Sequence, residues 1–238
     1  MRRPLLILVS AALMAACSTD SGELVARDIV SEMPWKAPES AQYRLLQGDD
    51  VKGNGKLRLF ESNGVLVIEQ SFQFPDIDVT DIVILEVDPQ TLRPRAEERV
   101  IDGPEGKREC QATYGASSAT IEQKTQEDKR TDELSVPPQH YDSWSDLFLW
   151  RTIEFFDGQE LKYVDVSSCS LAKPELISPV LKVKQVEDVT VPAGTFQAWR
   201  LEFRAKGRTQ KAWYADDERR TLVRYDNGDL VFELESIE

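Results

Sequence analysis

The sequence predicts a mainly β protein: a curved antiparallel sheet, in effect a half-open barrel, with one covering helix. Three observations predict it. Short runs alternate apolar and polar residues, as where Leu230, Phe232 and Leu234 interleave with Asp229, Val231, Glu233 and Glu235. Turn signals separate these runs at intervals of roughly 8–12 residues. Only one long stretch, residues 141–156, carries helical spacing instead. One apolar face and one wet face suit a sheet that curls round a packed interior.

With 238 residues, 41% hydrophobic and 30% charged, the chain can build one domain with a sizeable core. Its formal charge of −13 repels nucleic-acid phosphates and, at long range, anionic lipid headgroups. No run of Lys and Arg offsets that charge, so nucleic acid is excluded as a partner.

The chain starts with an address. Residues 1–17 read MRRPLLILVSAALMAAC. Arg2 and Arg3 precede an apolar run ending in small residues, the pattern of a signal peptide over 1–16, too short to span a membrane. Leu13-Met14-Ala15-Ala16-Cys17 resembles the bacterial lipobox, with Met14 where Leu is usual. The resemblance implies that Cys17 is lipidated and becomes the mature N-terminus. Three acyl chains, at about 0.8 kcal/mol per buried CH₂, make such an anchor permanent. Ser18, where the usual retention signal is Asp, implies the outer membrane facing the periplasm; a monoderm host would leave the protein on the outer face of its cell membrane. Residues 17–40 then read as lipidated cysteine and tether, about 25 Å on average if flexible. Asp20 and Glu23 have capping-box spacing, and Val25, Ile29 and Met33 share a helical face before Pro34, so part of the tether is expected to be helical.

Residues 41–238 form the single β-rich domain. A first strand is expected over 42–47. Strands over 55–61 and 65–72 flank Asn63-Gly64, the strongest short hairpin signal. The unbroken apolar run 82–87 reads as a strand covered on both faces. Asp88-Pro89-Gln90 turns the chain into 92–101, where Pro94 marks an edge or a bulge. Strands over 107–114 and 117–125 follow. The charged residues 126–133 read as a solvated connection or strand extension. After Pro137-Pro138, Trp144, Leu147, Phe148 and Arg151 follow helical spacing, Asp142 or Ser143 can cap the start, and Asp157-Gly158 ends the element. Strands resume over 161–166, 181–189, 195–204, 208–215, 220–226 and 229–235. Cys110 and Cys169, outside the cytoplasm, form either a disulfide, the expected state, or two buried thiols. A bridge would close a loop of about 60 residues, worth about 4 kcal/mol in the chain-entropy account.

The stretch Val189-Thr190-Val191-Pro192-Ala193-Gly194-Thr195-Phe196, with Ala212-Trp213-Tyr214-Ala215 and Leu222-Val223-Arg224-Tyr225 after it, resembles the ending of an uncharacterised family of bacterial exported β-proteins. Asp88-Pro89-Gln90-Thr91-Leu92-Arg93-Pro94 resembles the same family's D-x-x-T-L-x-P turn. The resemblance covers roughly residues 42–236 and extends to the LolA/LolB-type lipoprotein-carrier superfamily, half-open barrels with helices over the mouth. It implies a lid or plug over 141–156 and brings no catalytic residues.

The chemistry agrees. His140 is the single histidine, without a nucleophile motif beside it, and reads as a surface or loop residue. No zinc-ligand set is present, and Asp76, Asp78 and Asp81 lack the Gly and distal Glu of an EF-hand loop. No metal, cofactor or catalytic residue is expected. Trp144, Phe148 and Trp150 on the helix and Trp199, Phe203 and Trp213 on the sheet either pack a core or line an apolar cavity. The expected function is a membrane-anchored envelope lipoprotein acting as a non-catalytic binding or carrier module for an apolar, lipid-like ligand or a lipoprotein. The alternatives are a structural or assembly lipoprotein that binds another envelope protein, and an envelope hydrolase. A pair of carboxylates with perturbed pKa values in a cleft would mark the hydrolase.

Overall fold

The computed structural model describes residues 24–170 and 172–238. The signal peptide expected over 1–16 and the lipidation site Cys17 lie outside the described residues. The chain runs β1 (Glu39–Gln47), β2 (Asp50–Ser62), β3 (Val65–Phe74), β4 (Val79–Val87), β5 (Pro94–Asp102), β6 (Arg108–Tyr114), β7 (Ser118–Lys124), β8 (Lys129–Ser135) and β9 (Tyr141–Asp142). The helix α1 (Asp146–Leu149) follows, then β10 (Glu160–Lys162), β11 (Asp165–Ser167), β12 (Glu175–Ile177), β13 (Val180–Val191), β14 (Gly194–Ala205), β15 (Arg208–Ala215), β16 (Leu222–Asp226) and β17 (Val231–Ile237). Fourteen strands make one antiparallel sheet in the order β10-β13-β14-β15-β16-β17-β1-β2-β3-β4-β5-β6-β7-β8. The sheet curls without closing, and β10 and β8 remain its edges. A smaller sheet, β12-β11-β9, pairs β11 with β9 in parallel.

Local chemistry sets the register. Asn63 and Gly64 take φ of 50° and 79°, the left-handed pair a two-residue hairpin needs, and Ser62 pairs with Val65 across it. In the second turn motif, Asp88 Oδ1 accepts from the backbone N–H of Gln90 and Thr91 at 3.0 and 3.1 Å. This swings Leu92 to φ 55° and buries it completely. Burial alone would raise the Asp88 carboxyl, but the hydrogen bonds from Arg95, Gln90 and Thr91 outweigh it and hold the group below its usual range. The pairing of β4 with β5 shifts register where Val87 meets Pro94. In the C-terminal signature, Pro192 and Ala193 are the tip of the β13–β14 hairpin, with Val191 opposite Gly194.

The sheet has a seam. Strand β1 lies between β2 and β17, so strands from opposite ends of the described chain are neighbours. Ser40 and Glu238 exchange backbone hydrogen bonds of 3.2 and 2.8 Å there.

Four expectations are corrected. The run 82–87 is not covered on both faces: Val83, Leu85 and Val87 are fully buried, but Ile82 and Ile84 are 40% and 38% exposed on the convex side. The charged residues before Ser135 pair with β7 as a regular edge strand, β8. The described part of the N-terminal segment is not helical: residues 24–36 are irregular coil, and Ile29 and Trp35 are buried. This segment is a strap across the concave side. The helix expected over 141–156 is one turn, α1, flanked by 3₁₀ turns over Ser143–Ser145 and Trp150–Thr152. Its carbonyls are claimed from outside: Tyr214 Oη donates to Leu147 O at 2.9 Å, and Arg220 Nη1 to Arg151 O and Ile153 O at 2.9 and 2.6 Å. The strap's Ser31 and Glu32 N–H groups both reach Thr152 O at 3.1 Å. With acceptors satisfied by tertiary donors, the backbone has no need of further helical turns.

Candidate functional site

The concave side holds the central segment as a plug. Leu149, Trp150 and Ile153 are at most 1% exposed. Trp150 stacks on Phe203 with centroids 5.1 Å apart and donates Nε1–H to Tyr163 Oη at 2.8 Å. Phe148 turns to Trp35 of the strap, edge to face at 6.2 Å. Trp199 meets Phe155 at 6.2 Å and donates to Asp216 at 2.8 Å, half-buried at the rim. Trp144 lies beneath the Arg99 guanidinium, 4.6 Å from its ring centroid. Trp213 is on the opposite face of the sheet from its neighbour Tyr214: its Nε1–H bonds Glu187 at 2.6 Å and Arg224 covers its ring. The six aromatics therefore do not line one chamber. Trp150, Phe203 and Phe148 fill the interior, and Trp213 is outside it because side chains alternate across a strand.

Below the plug lies a layer the sequence reading missed. Glu97, Asp142, Asp146 and Asp165 are between 0% and 6% exposed. Ser168 Oγ lies within hydrogen-bonding distance of both Glu97 and Asp142. A hydroxyl has one proton to give, so one of these bonds runs from a protonated carboxyl. Burial, then the Asp142 charge, pushes Glu97 well up; burial raises Asp142. Burial raises Asp146 well above the usual range, and burial followed by the Asp146 charge does the same to Asp165. Within the layer the Asp142 charge adds to burial in raising Glu97, and the Asp146 charge adds to burial in raising Asp165. Around it, Asp142 accepts from Tyr114 Oη and caps the plug through Trp144 N–H at 2.8 Å, and Tyr163 Oη donates to Asp146 at 2.7 Å. The signal that could have found it is Asp142 and Asp146, four apart at the start of an aromatic-rich, apolar segment; Glu97 and Asp165 arrive from other elements.

His140 is in a loop, as one of its two expected settings had it, but not at the surface. It is 4% exposed, with Nδ1 2.7 Å from Pro137 O and its ring 5.7 Å from that of Tyr114. Burial lowers its pKa. Cys110 of β6 and Cys169, just past β11, form a disulfide with Cα atoms 5.6 Å apart. It staples the small sheet to the large one over a cluster of Ala112, Ala119, Ile121, Val136 and Val166. Arg99 bonds both Asp81 oxygens at 2.9 and 2.6 Å and Cys169 O at 2.7 Å. Among the described residues, no group of three or more His, Cys, Asp or Glu is placed to hold a metal ion.

An open recess of about 810 Å³ lies at the rim, between the start of the strap, β12 and the β14–β15 turn. Leu24, Val25, Leu176 and Ile177 supply apolar surface, Lys162, Arg204, Lys206 and Arg208 supply cations, and among the described residues none of the lining is acidic. Arg204, Lys206 and Arg208 each pair with an acid outside the lining, Glu202, Glu175 and Asp229. Lys162 has no ion-pair partner among the described residues, and Arg27 donates to its carbonyl at 2.8 Å. Arg204, Lys206 and Arg208 come from one stretch, residues 204–208 at the β14–β15 turn, and Lys162 joins them from β10.

Comparison with known proteins supports the same architecture. No curated protein matches the chain. A crystal structure titled as a beta-barrel-like protein of domain of unknown function DUF1849, from Brucella abortus, superposes with a TM-score of 0.57 at 9% identity, covering 89% of this chain and 98% of that one. At that identity the likeness concerns the fold alone. A DUF1089 family protein from Pseudomonas aeruginosa covers 82% of this chain and 93% of its own at 13% identity, with a TM-score of 0.38. The family model described as "Protein of unknown function (DUF3108)" matches residues 51–235, from β2 through β17 and both turn motifs, and the chain belongs to that family.

Proposed function

We propose that the protein is a lipid-anchored lipoprotein of the cell envelope and a non-catalytic binding module, taking an apolar, lipid-like ligand at the rim of its half-barrel. The carrying observation is the contrast between a filled interior and an open rim recess. Trp150 and Leu149 occupy the space a carrier would leave for cargo, while the recess keeps about 810 Å³ beside apolar side chains. The hydrolase alternative would need substrate to reach perturbed carboxylates, and Glu97, Asp142, Asp146 and Asp165 are sealed. The sheet edges favour no protein partner either: β10 is three residues long and β8 is charged, both devices that discourage strand addition.

The test is to purify the protein from membranes with its own leader and weigh it intact. The expected result is cleavage before Cys17, a mass increment for three acyl chains and co-extracted lipid. A soluble protein cut elsewhere and free of lipid would sink the proposal.

A further inference from the structure

We infer that the rim recess binds the headgroup and upper acyl chain of an anionic phospholipid in the bilayer that anchors the protein. This rests on the reading of Cys17 as the lipidated residue. Leu24 lines the recess and lies seven positions after Cys17. A fully extended chain spans at most ~3.6 Å per residue, so the recess is never farther than about 25 Å from the anchor. The rest of the sheet is free to point away; this corner is not.

The lining then matches what it would meet. Lys162, Arg204, Lys206 and Arg208 meet phosphate oxygens, and Leu24, Val25, Leu176 and Ile177 meet the first methylenes. A chain of net charge −13 is repelled by an anionic surface from a distance, but the Debye length is about 8 Å in physiological salt. A tether of at most about 25 Å, about three Debye lengths, lets the recess come within that range. There Lys162 is the cation without an ion-pair partner among the described residues, and Arg204, Lys206 and Arg208 exchange their acids for phosphate. In a chain with 42 acidic residues, four cations and no acid among the described lining residues set this recess apart from a generic solvated surface.

The full lipoprotein in neutral detergent is offered phosphatidylglycerol, phosphatidylcholine or inorganic phosphate, and retained adducts are counted by native mass spectrometry. Phosphatidylglycerol is expected to be retained at least tenfold over phosphatidylcholine and over phosphate. The double variant Lys162→Glu with Lys206→Glu, both exposed positions, is expected to lose that preference, and Lys162→Arg with Lys206→Arg to keep it. Equal retention of the two lipids, unchanged retention by the Glu variant, or equally strong binding of phosphate alone overturns the inference. The same spectra weigh the anchor. A bare Cys17 with phosphatidylglycerol still selected would overturn the anchored placement and leave the lining's selectivity standing, so the two failures are separable.

Discussion

The two wings of the sheet hold the same plug by opposite means. From β13 through β4 the concave face is large and apolar: Leu45, Leu59, Ile68, Leu85, Leu181 and Leu201 are wholly buried, and Trp150 sits among Phe203 and Tyr225. From β5 to β8 the face offers Ala112, Ala119 and Ile121, and the plug meets carboxyls, a serine and tyrosines. The first wing is held by burial, which is non-directional and scales with area. The second has too little apolar area for that. It uses directional bonds among buried carboxyls and hydroxyls and a covalent staple. A half-barrel this wide is thus two stability problems solved on one sheet.

The largest effect should come from emptying the apolar wing. Trp150→Ala removes a residue 1% exposed and is expected to cost about 3–5 kcal/mol in urea unfolding; a cost under about 1 kcal/mol would mean the interior collapses onto the gap. Next, Cys110→Ser with Cys169→Ser is expected to cost about 2–4 kcal/mol. Hydrogen exchange should place the lost protection in β5–β8, and a uniform loss over the whole sheet would erase the distinction between the wings.

The third prediction concerns pH. Glu97, Asp142, Asp146 and Asp165 are raised in the folded state, chiefly by burial, so folded protein binds more protons than unfolded. Their stabilising contribution is full below the ordinary carboxylate range near pH ~4 and is lost as pH rises through the elevated folded values. Asp88 and Glu202, held low by their partners against burial, work in the opposite sense below that range, and His140, lowered by burial from 6.5, opposes the four carboxyls around and below that value. Four groups against one, the melting temperature should fall as pH rises above about 5, and Asp165→Asn should flatten the fall. An equally steep fall in the variant would remove Asp165 from the account. The smallest effect is expected on the convex side, where Ile82→Thr, at a half-open position, should change stability by no more than about 0.5 kcal/mol. A larger loss would imply that something covers β4.

The apolar wing was far more legible in the sequence than the polar one. Alternation and Asn63-Gly64 announce β2 and β3 because side-chain period and left-handed turns are local properties. The V-P-A-G hairpin is legible for the same reason. The run 82–87 misled because Ile82 and Ile84 are apolar without being buried. The plug misled because its spacing is helical, while its helix length is set by Tyr214, Arg220 and the strap, all distant in sequence. The carboxyl layer was invisible because it gathers single residues from several elements; in the basic recess the RAKGR turn, residues 204–208, was legible, but its meeting with Lys162 and the strap was not.

The seam between β1 and β17 has a consequence for the order in which the protein can be made. Both edges of β1 need partners, and β17 leaves the ribosome after every other strand of the sheet. Until then β1 presents one bare backbone edge, with the first meander waiting on the second. A chain arrested before β17 is therefore an aggregation hazard rather than a partly working protein. Pulse-labelled hydrogen exchange during refolding should show protection of the β1–β17 pair among the slowest to appear, as expected for contacts so distant in sequence. Early protection there would instead make the seam the nucleus.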